Sequence, residues 1–403
     1  MNTITMRKRL NSSPLFYAFF LAAILISSLG CATGPEGEHD THDHSDGEKF
    51  SAGHMIIEHI SDAYDIHLWG HTSIPLPVIL HTDAGLHVFS SSKFNHGHDI
   101  VESKGEHFVI AAGKIYQTDE HGTITYCVPS AEVPGECTST TEVNFAETHH
   151  AEFKAPAGAK ISSVRPFDLS ITKSVAGLLL VLLLVVILFT SAAKGYKKRP
   201  GQAPKGITNA LEPLILFVRD EIAIPSIGKK HAGRFMPFLL TVFFFIWLCN
   251  ILGLIPFIGG FNITGTLSVT LVLATLVFII TTVSANKHYW GHILWPPGVP
   301  LPIKFILVPI EIVGILLKPI VLMVRLTANI TAGHIIILAF VSLIFIFGKG
   351  GEAIGTGLGV GLGATLFMIF MFFIELLVAF LQALVFTLLA ALYFGDATQE
   401  AHH

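Results

Sequence analysis

Seven polar or ionisable residues interrupt two long apolar segments near the C-terminus. They are Glu311, Lys318, Arg325, Asn329, His334, Glu375 and Gln382. A charged side chain at the centre of a bilayer costs between about 2.5 and more than 10 kcal/mol, so such residues usually pair, face water or serve a function. Arg325 is the strongest candidate for a function, because positions 321, 322, 328 and 329 supply no acid at one-turn spacing. Its counter-charge is therefore expected from elsewhere in this chain or from another chain.

Helical spacing sorts these residues into faces. Glu311, Lys318 and Arg325 follow one another at intervals of seven, so they drift by only about 20° per step and share one face. Asn329 lies one turn beyond Arg325 on nearly the same face. His334, nine residues after Arg325, is expected on the opposite side of the helix.

Structural roles compete with functional ones for three of these residues. Lys318 either pairs with Glu311 or extends towards water. His334, taken alone, is either a hydrogen-bonded packing residue or a functional group. Gln382 shares a face with Glu375, seven residues earlier, and either bonds to a neighbouring helix or lines a polar site.

The composition identifies an integral membrane protein. Of 403 residues, 51% are hydrophobic and 13% are charged, against about 25% charged in soluble domains. The net charge of −4 and the lack of a basic, aromatic-rich stretch argue against nucleic acid as a partner. Four cysteines without a CxxC arrangement argue against a zinc or redox motif, and no cofactor is predicted.

Residues 1–31 have the layout of a signal peptide. A basic stretch precedes an apolar run that ends in small residues, so cleavage is expected; an uncleaved anchor helix is the alternative. Cys31 is a candidate lipidation site, although the residues before it are not in the usual order. His39, His42 and His44 lie in the following acidic tract, which we interpret as a solvated linker with no metal site.

Residues 32–160 are predicted to comprise this His-rich linker and a small β-rich domain. Short apolar runs alternate with turn residues, and "KIYQTDEHGTITY" has the pattern of a β-hairpin. Cys127 and Cys137 flank a short loop, and an oxidising compartment beyond a signal peptide would permit a disulfide between them. Two free thiols are the alternative.

The rest of the chain predicts an all-α polytopic membrane fold. We expect about five membrane-embedded helices, two of them in a long tilted hairpin, and one amphipathic helix at the surface. The basic "KGYKKRP" after the first span indicates its cytoplasmic end, which makes the preceding domain periplasmic. The predicted segments are Ser174 to Ala193, Ile207 to Gly228 at the surface, Phe235 to Phe257, Thr266 to Ala285, Phe305 to Phe347 and Gly357 to Phe394.

The last two segments each exceed the roughly 20 residues that a perpendicular span needs. They must therefore tilt steeply, bend, or each break into two helices. A glycine-rich connection between them predicts a hairpin.

Three motifs together resemble subunit a of the F-type ATP synthase, over residues 168–396. They are "NILGLIP", "VRLTANITAGHIII" and "IELLVAFLQALVFTLLAALYFGD". The resemblance implies a proton-channel stator whose long hairpin packs against a rotating ring of c subunits, each with one mid-membrane carboxylic acid. Two offset half-channels would connect that acid to opposite sides of a bacterial inner membrane, with the C-terminus cytoplasmic. The implied partners are the c ring, the b subunits, the rest of the complex and the lipid bilayer, and the transported ion is the proton.

The resemblance also implies roles for individual residues. Arg325 matches the family's essential arginine, whose counter-charge is the c-ring carboxylate. His334 and Glu375 match the periplasmic proton relay, in the mitochondrial order, and should be neighbours. Asn329 and Gln382 match polar positions near the arginine. A sixth residue, Glu311, matches the acid of the cytoplasmic half-channel.

Two other functions compete with this one. A secondary transporter or ion channel would use the same buried charges, but such transporters often contain inverted repeats, and no internal symmetry is evident here. A membrane anchor for the N-terminal domain would not need Arg325, His334 and Glu375 in mid-membrane. The subunit itself is expected to be a non-catalytic component, because ATP would form elsewhere in the complex.

Overall fold

The part of the chain that the structure describes contains eleven short strands and one 3-10 helix, Ser91–Gly97, before residue 169, and eight α-helices after them. The structure is a computed structural model. It describes residues 53, 61–69, 72–97, 99–111, 113–129, 137–144, 160–198, 200, 202–255, 261–296, 299–348 and 354–399. The predicted signal peptide, Cys31 and the His-rich tract lie outside these residues. The chain separates into two units between Ala176 and Gly177.

The first unit consists of antiparallel strands, as the alternating apolar pattern predicts. They form one two-stranded and three three-stranded sheets, in the orders β1-β2, β11-β3-β4, β5-β6-β7 and β10-β8-β9. Buried Leu80, Phe94 and Phe108 lie in its main apolar core. The strands are β1 Asp65–Trp69, β2 Thr72–Pro75, β3 Pro77–Thr82, β4 Gly85–Ser90, β5 Val101–Ser103, β6 Glu106–Ala111, β7 Lys114–Thr118, β8 Thr123–Pro129, β9 Cys137–Asn144, β10 Lys160–Ile161 and β11 Phe167–Asp168.

The predicted hairpin in "KIYQTDEHGTITY" is wrong in its pairing. β7 and β8 do flank a turn at the expected glycine, but β7 pairs with β6, and β8 pairs with β9. A later segment bonds to both strands instead: β10 pairs with β8, and the Gln117 N–H donates to the Val164 carbonyl oxygen. Cys127 on β8 is disulfide-bonded, which excludes a free thiol at that position.

The second unit is helical, and five of its helices are long and apolar enough to cross a membrane. Each lies within a few residues of a predicted span. The helices are α1 Lys173–Lys198, α2 Ile207–Phe217, α3 Ile224–Ile227, α4 Ala232–Leu254, α5 Leu267–Ser284, α6 Lys287–Leu294, α7 Leu301–Gly348 and α8 Ile354–Thr398. α2 and α3 are joined by one π-helical stretch, Val218–Ala223, and together they confirm a helix at Ile207 to Gly228, whose location at the membrane surface stays a prediction.

The two longest helices, α7 and α8, are continuous, so neither segment breaks into two helices. Their 48 and 45 residues correspond to about 72 and 68 Å of α-helix, more than twice the roughly 30 Å of a bilayer core. Neither helix can therefore fit within the bilayer core perpendicular to the membrane, and each must tilt or bend. In the most apolar 18-residue stretch of α7, only 6% is buried inside the protein. In the corresponding stretch of α4, 72% is buried. A large part of α7 is consequently available to contact lipid or another chain.

Aromatic side chains pack α4 against α8. The rings of Phe235 and Phe394 stack with their centroids 4.7 Å apart, and Phe243 meets Phe380 edge to face at 5.9 Å. Near the end of α8, a Cβ added to Gly395 would collide with the Ser226 carbonyl oxygen of α3. These contacts fix the position of α8, which carries Glu375 and Gln382.

Candidate proton-path site

Arg325 lies on the exposed side of α7. In the part of the chain that the structure describes, no carboxylate lies within 4.0 Å of its guanidinium group. Its guanidinium does interact electrostatically with the Tyr393 hydroxyl of α8. Asn329, one turn later, is exposed as well, which agrees with the shared face that the spacing predicts.

The other side of this stretch of α7 is held by neighbouring helices. The hydroxyl groups of Thr327 and Thr270 of α5 lie 2.7 Å apart in a hydrogen bond, and Leu326 and Ile330 are buried. Arg325 therefore projects from a backbone that is anchored on its opposite side. Such anchoring limits the positions that the guanidinium can reach.

Glu375 of α8 lies against the backbone of Gly333 on α7. A Cβ added to Gly333 would collide with Glu375 Oε1, so only glycine leaves room for this carboxyl group. Glu375 is 8% exposed, and its Oε2 is buried without a hydrogen-bond partner among the described residues. A buried polar atom of this kind requires water or a moving partner group to satisfy it.

His334 is the next residue after Gly333, and it faces α4. A Cβ added to Gly253 of α4 would lie 3.6 Å from His334 Nε2 and 2.9 Å from the Phe261 carbonyl oxygen. Gly333 thus leaves room for the Glu375 carboxyl group, whereas the His334 imidazole lies at ordinary van der Waals distance from the Cβ position of Gly253. Glu375 therefore contacts Gly333, and His334 follows Gly333 in the sequence; that the two side chains are neighbours stays a prediction.

A buried hydrogen-bond network borders this region. Asn250 of α4 donates to the Ala379 carbonyl oxygen of α8 at 3.1 Å, and its Oδ1 accepts from the Thr264 hydroxyl at 2.6 Å. Ala379 lies one turn after Glu375. Gln382, 8% exposed, follows on the same side of α8. The network fixes the backbone that carries both residues.

Lys318 pairs with Asp396 rather than with Glu311. Its Nζ lies 3.7 Å from Asp396 Oδ2 and 4.8 Å from the centre of the Tyr393 ring. Of the two structural alternatives for Lys318, pairing with Glu311 is therefore wrong. Asp396 on the neighbouring helix α8 lies closer to Lys318 than Glu311 does, although Glu311 is on the same helix.

Glu311 approaches the same group of residues through Tyr289 of α6. Burial raises the pKa of the Tyr289 hydroxyl, and the negative charges of Asp396 and Glu311 raise that pKa further. Tyr289, Lys318 and Tyr393 also line a narrow cleft. Polar groups from three helices therefore extend from the vicinity of Arg325 towards Glu311.

Several of these residues cannot be predicted from the sequence alone. Gly333, Gly253 and Asn250 act through contacts between helices, and no spacing within one helix predicts them. Asp396 lies at the end of the "YFGD" motif. An acid at the end of an apolar segment is the sequence feature that could have predicted a partner for Lys318. Within the described residues, no group of three histidine, cysteine, aspartate or glutamate side chains is arranged to hold a metal ion.

Comparisons with known proteins identify the family. The model described as ATP synthase A chain matches residues 176–395, and a model described as a domain of unknown function (DUF8433) matches residues 55–134. ATP synthase subunit a of Chlorobium phaeobacteroides is 41% identical over 241 residues, which are 59% of this chain and 68% of that protein. ATP synthase subunit a of Myxococcus xanthus is 40% identical over 250 residues, 59% of this chain and 75% of that protein. The chain belongs to the ATP synthase A chain family, as subunit a of an F-type ATP synthase.

Proposed function

We propose that Arg325 is the stator charge that faces the c ring and separates two proton half-channels. The observation that carries this proposal is an exposed arginine on an apolar hairpin, without a carboxylate in ion-pair distance among the described residues. An unpaired arginine is costly in hydrocarbon. A carboxylate on a partner chain that packs against α7 would remove that cost.

The chemistry of arginine suits this task. Its guanidinium stays protonated at any relevant pH, so it favours the ionised form of each passing carboxyl group and promotes proton release. A fixed positive charge also opposes direct passage of a proton between the half-channels. Each proton that crosses 100 mV carries about 2.3 kcal/mol, so several must pass for each ATP.

His334 and Glu375 are proposed to relay protons on the periplasmic side. An imidazole with an ordinary pKa near 6.5 exchanges protons in both directions near neutral pH. The buried Glu375 Oε2 supports this role, since it lacks a hydrogen-bond partner among the described residues. Asn329 and Gln382 would order water or position Arg325 near this relay.

Glu311 is proposed to serve the cytoplasmic half-channel. The polar residues between Arg325 and Glu311 support a path along the cleft that Tyr289, Lys318 and Tyr393 line. In this role Lys318 and Asp396 form an ion pair beside the path, and the Tyr393 ring lies next to Lys318. The subunit makes and breaks no covalent bond in this scheme.

The proposed setting is a bacterial inner membrane. The basic residues that end α1, Lys197 and Lys198, favour the cytoplasmic side for that end. The strand-rich unit would then be periplasmic, and the C-terminus cytoplasmic. The c ring and the b subunits are the proposed neighbours of the helical unit.

The test is coupled transport in vesicles that carry the whole complex. ATP-driven proton pumping and ATP synthesis are compared between the wild type and Arg325→Ala, with subunit assembly checked by native electrophoresis. Loss of both activities in an assembled complex is the expected result. Arg219→Ala is the matched control, because Arg219 is exposed, lies outside the spanning helices and pairs with its neighbour Asp220.

Retained coupled pumping in Arg325→Ala would overturn the proposal. So would proton conduction by this chain in vesicles that lack c subunits, since a stator needs the ring to carry protons. Arg325→Lys adds a finer comparison. Because the pKa of lysine falls readily on burial, this variant should pump less than the wild type.

A further inference from the structure

The connection between α5 and α7 carries cations and aromatic rings but no acid. Residues 286–304 include Lys287, Lys304, two histidines, two tryptophans and one tyrosine, with no aspartate or glutamate. Helix α6 lies within this connection, two residues after α5 ends. Two residues of chain reach about 7 Å at most. If α5 spans the membrane, α6 must lie at its surface.

One side of α6 is fixed to the rest of the helical unit. Ile293 is 4% exposed, and Tyr289, one turn earlier, is partly buried beside the cleft described above. At the start of α6, the Asn286 N–H donates to the Ala397 carbonyl oxygen at 2.9 Å, and its side chain donates to the Thr398 carbonyl oxygen at 3.1 Å. The orientation of α6 is therefore set by the end of α8.

The opposite side of α6 has a cationic and apolar surface. Lys287, Trp290 and Leu294 are spaced by three and four residues, so they share one face, and all three are exposed. Because α6 is anchored through its other side, this face is held in place while its three side chains stay exposed among the described residues. Its composition combines a positive charge with an indole and an aliphatic side chain.

The start of α7 extends the same chemistry. The Lys304 ammonium lies 4.2 Å from the centre of the Trp295 ring, within cation–π distance. Trp295 is 63% exposed, and Phe305 beyond it is 78% exposed. No carboxylate lies within ion-pair distance of Lys287 or Lys304 in the described part of the chain. Among the described residues, neither ammonium group is therefore neutralised by an ion pair.

We propose that α6 and the start of α7 form a binding site for an anionic phospholipid. The ammonium groups of Lys287 and Lys304 attract the headgroup phosphate, and Trp290 and Trp295 lie at the level of the headgroups, as tryptophans do at membrane interfaces. Leu294 and other exposed apolar side chains contact the acyl chains. The absence of acids in the connection favours an anionic over a zwitterionic lipid. This inference requires α5 and α7 to span the membrane, but not the proton path.

The experiment measures lipids retained by the whole purified complex. Complexes are washed with detergent, exposed to phosphatidylglycerol or phosphatidylcholine in mixed micelles, and examined by native mass spectrometry for lipids bound to this subunit. Phosphatidylglycerol should be retained in preference to phosphatidylcholine. In Lys287→Gln/Lys304→Gln, retention should weaken about fivefold for each lysine removed, since one basic residue near an anionic surface contributes about that factor.

Two further variants make the result decisive. Lys287→Arg/Lys304→Arg keeps both charges and should retain the lipid. Lys197→Gln/Lys198→Gln removes two exposed charges from the end of α1 and should leave retention unchanged. The proposal is overturned if the glutamine variant at positions 287 and 304 retains the lipid, or if the α1 variant loses it equally. Displacement of the lipid by excess inorganic phosphate would also overturn it, because the site would then bind a free anion.

Discussion

The carboxyl group of Glu375 occupies the space that a side chain at Gly333 would fill. Oε1 lies where the Cβ of any other residue at position 333 would be, and Oε2 is buried. The two long helices therefore meet at a glycine, and the acid of one helix reaches the backbone of the other beside His334. This contact makes Gly333 a sensitive test of the proposed relay.

Gly333→Ala should therefore displace the Glu375 carboxyl group. Misplacing a reacting group by about 1 Å can lower a rate by about a hundredfold, so ATP-driven proton pumping should fall between about tenfold and a hundredfold. Alanine favours a helix over glycine by about 1 kcal/mol, so α7 should still form. Pumping in vesicles and assembly of the complex are the measurements.

Gly314→Ala is the matched control for that substitution. Gly314 also lies on α7, and an added Cβ there meets nothing within 4 Å. Its pumping should equal that of the wild type. If Gly333→Ala and Gly314→Ala pump equally well, the position of the Glu375 carboxyl group does not matter for transport, and its proposed role is lost.

The ion pair between Lys318 and Asp396 should matter for transport more than for stability. The side chains are 33% and 58% exposed, and exposed ion pairs contribute only about 0–1 kcal/mol. Asp396→Asn should leave the thermal unfolding of the complex nearly unchanged. Coupled pumping should fall, because Lys318 would lose its partner beside the proposed cytoplasmic path.

The exchanged variant Lys318→Asp/Asp396→Lys separates pairing from position. It should recover part of the pumping that Asp396→Asn loses, since the opposite charges again lie within reach. Equal pumping in the wild type and in Asp396→Asn would show that the pair has no role in proton release.

The sequence predicts those features that depend on one helix at a time. The spans follow from runs of apolar residues, and the shared face of Glu311, Lys318 and Arg325 follows from their spacing. The contacts between helices do not follow from either pattern. Lys318 pairs with Asp396, which lies 78 positions later, and the Glu375 carboxyl group of α8 fills the space beside Gly333. Only the packing of α7 on α8 brings these groups together.

The strand-rich unit shows the same limit. Alternation predicts that β7 and β8 are strands, but their partners depend on where later segments bind. Residues 160–164 bond to both strands, and a hairpin pattern contains no information about that competition. The prediction therefore succeeds for the elements and fails for their pairing.

A buried histidine should stabilise this strand-rich unit. His87 is 0% exposed, its Nε2 lies 3.1 Å from Glu106 Oε2, and its Nδ1 lies 3.1 Å from Ser103 Oγ. His87→Leu removes both buried contacts and should lower the free energy of unfolding by about 1–3 kcal/mol. Limited proteolysis of the whole chain should then cleave the unit faster. His81→Leu, at an exposed position on β3, should not change the rate; equal rates in both variants would contradict the prediction.

Asn250→Ala should weaken both the fold and the transport. The substitution removes two buried hydrogen bonds. Asn250 donates one to the Ala379 carbonyl oxygen and accepts the other from the Thr264 hydroxyl. Hydrogen bonds between membrane helices contribute about 0.6 kcal/mol on average and at most about 1.7, so a loss of about 1–3 kcal/mol is expected in thermal unfolding. Pumping should also decrease, because Ala379 lies one turn from the proposed relay. Thr241→Ala, which removes a bond within α4 alone, is the control, and an equally small effect of both variants would exclude a special role for Asn250.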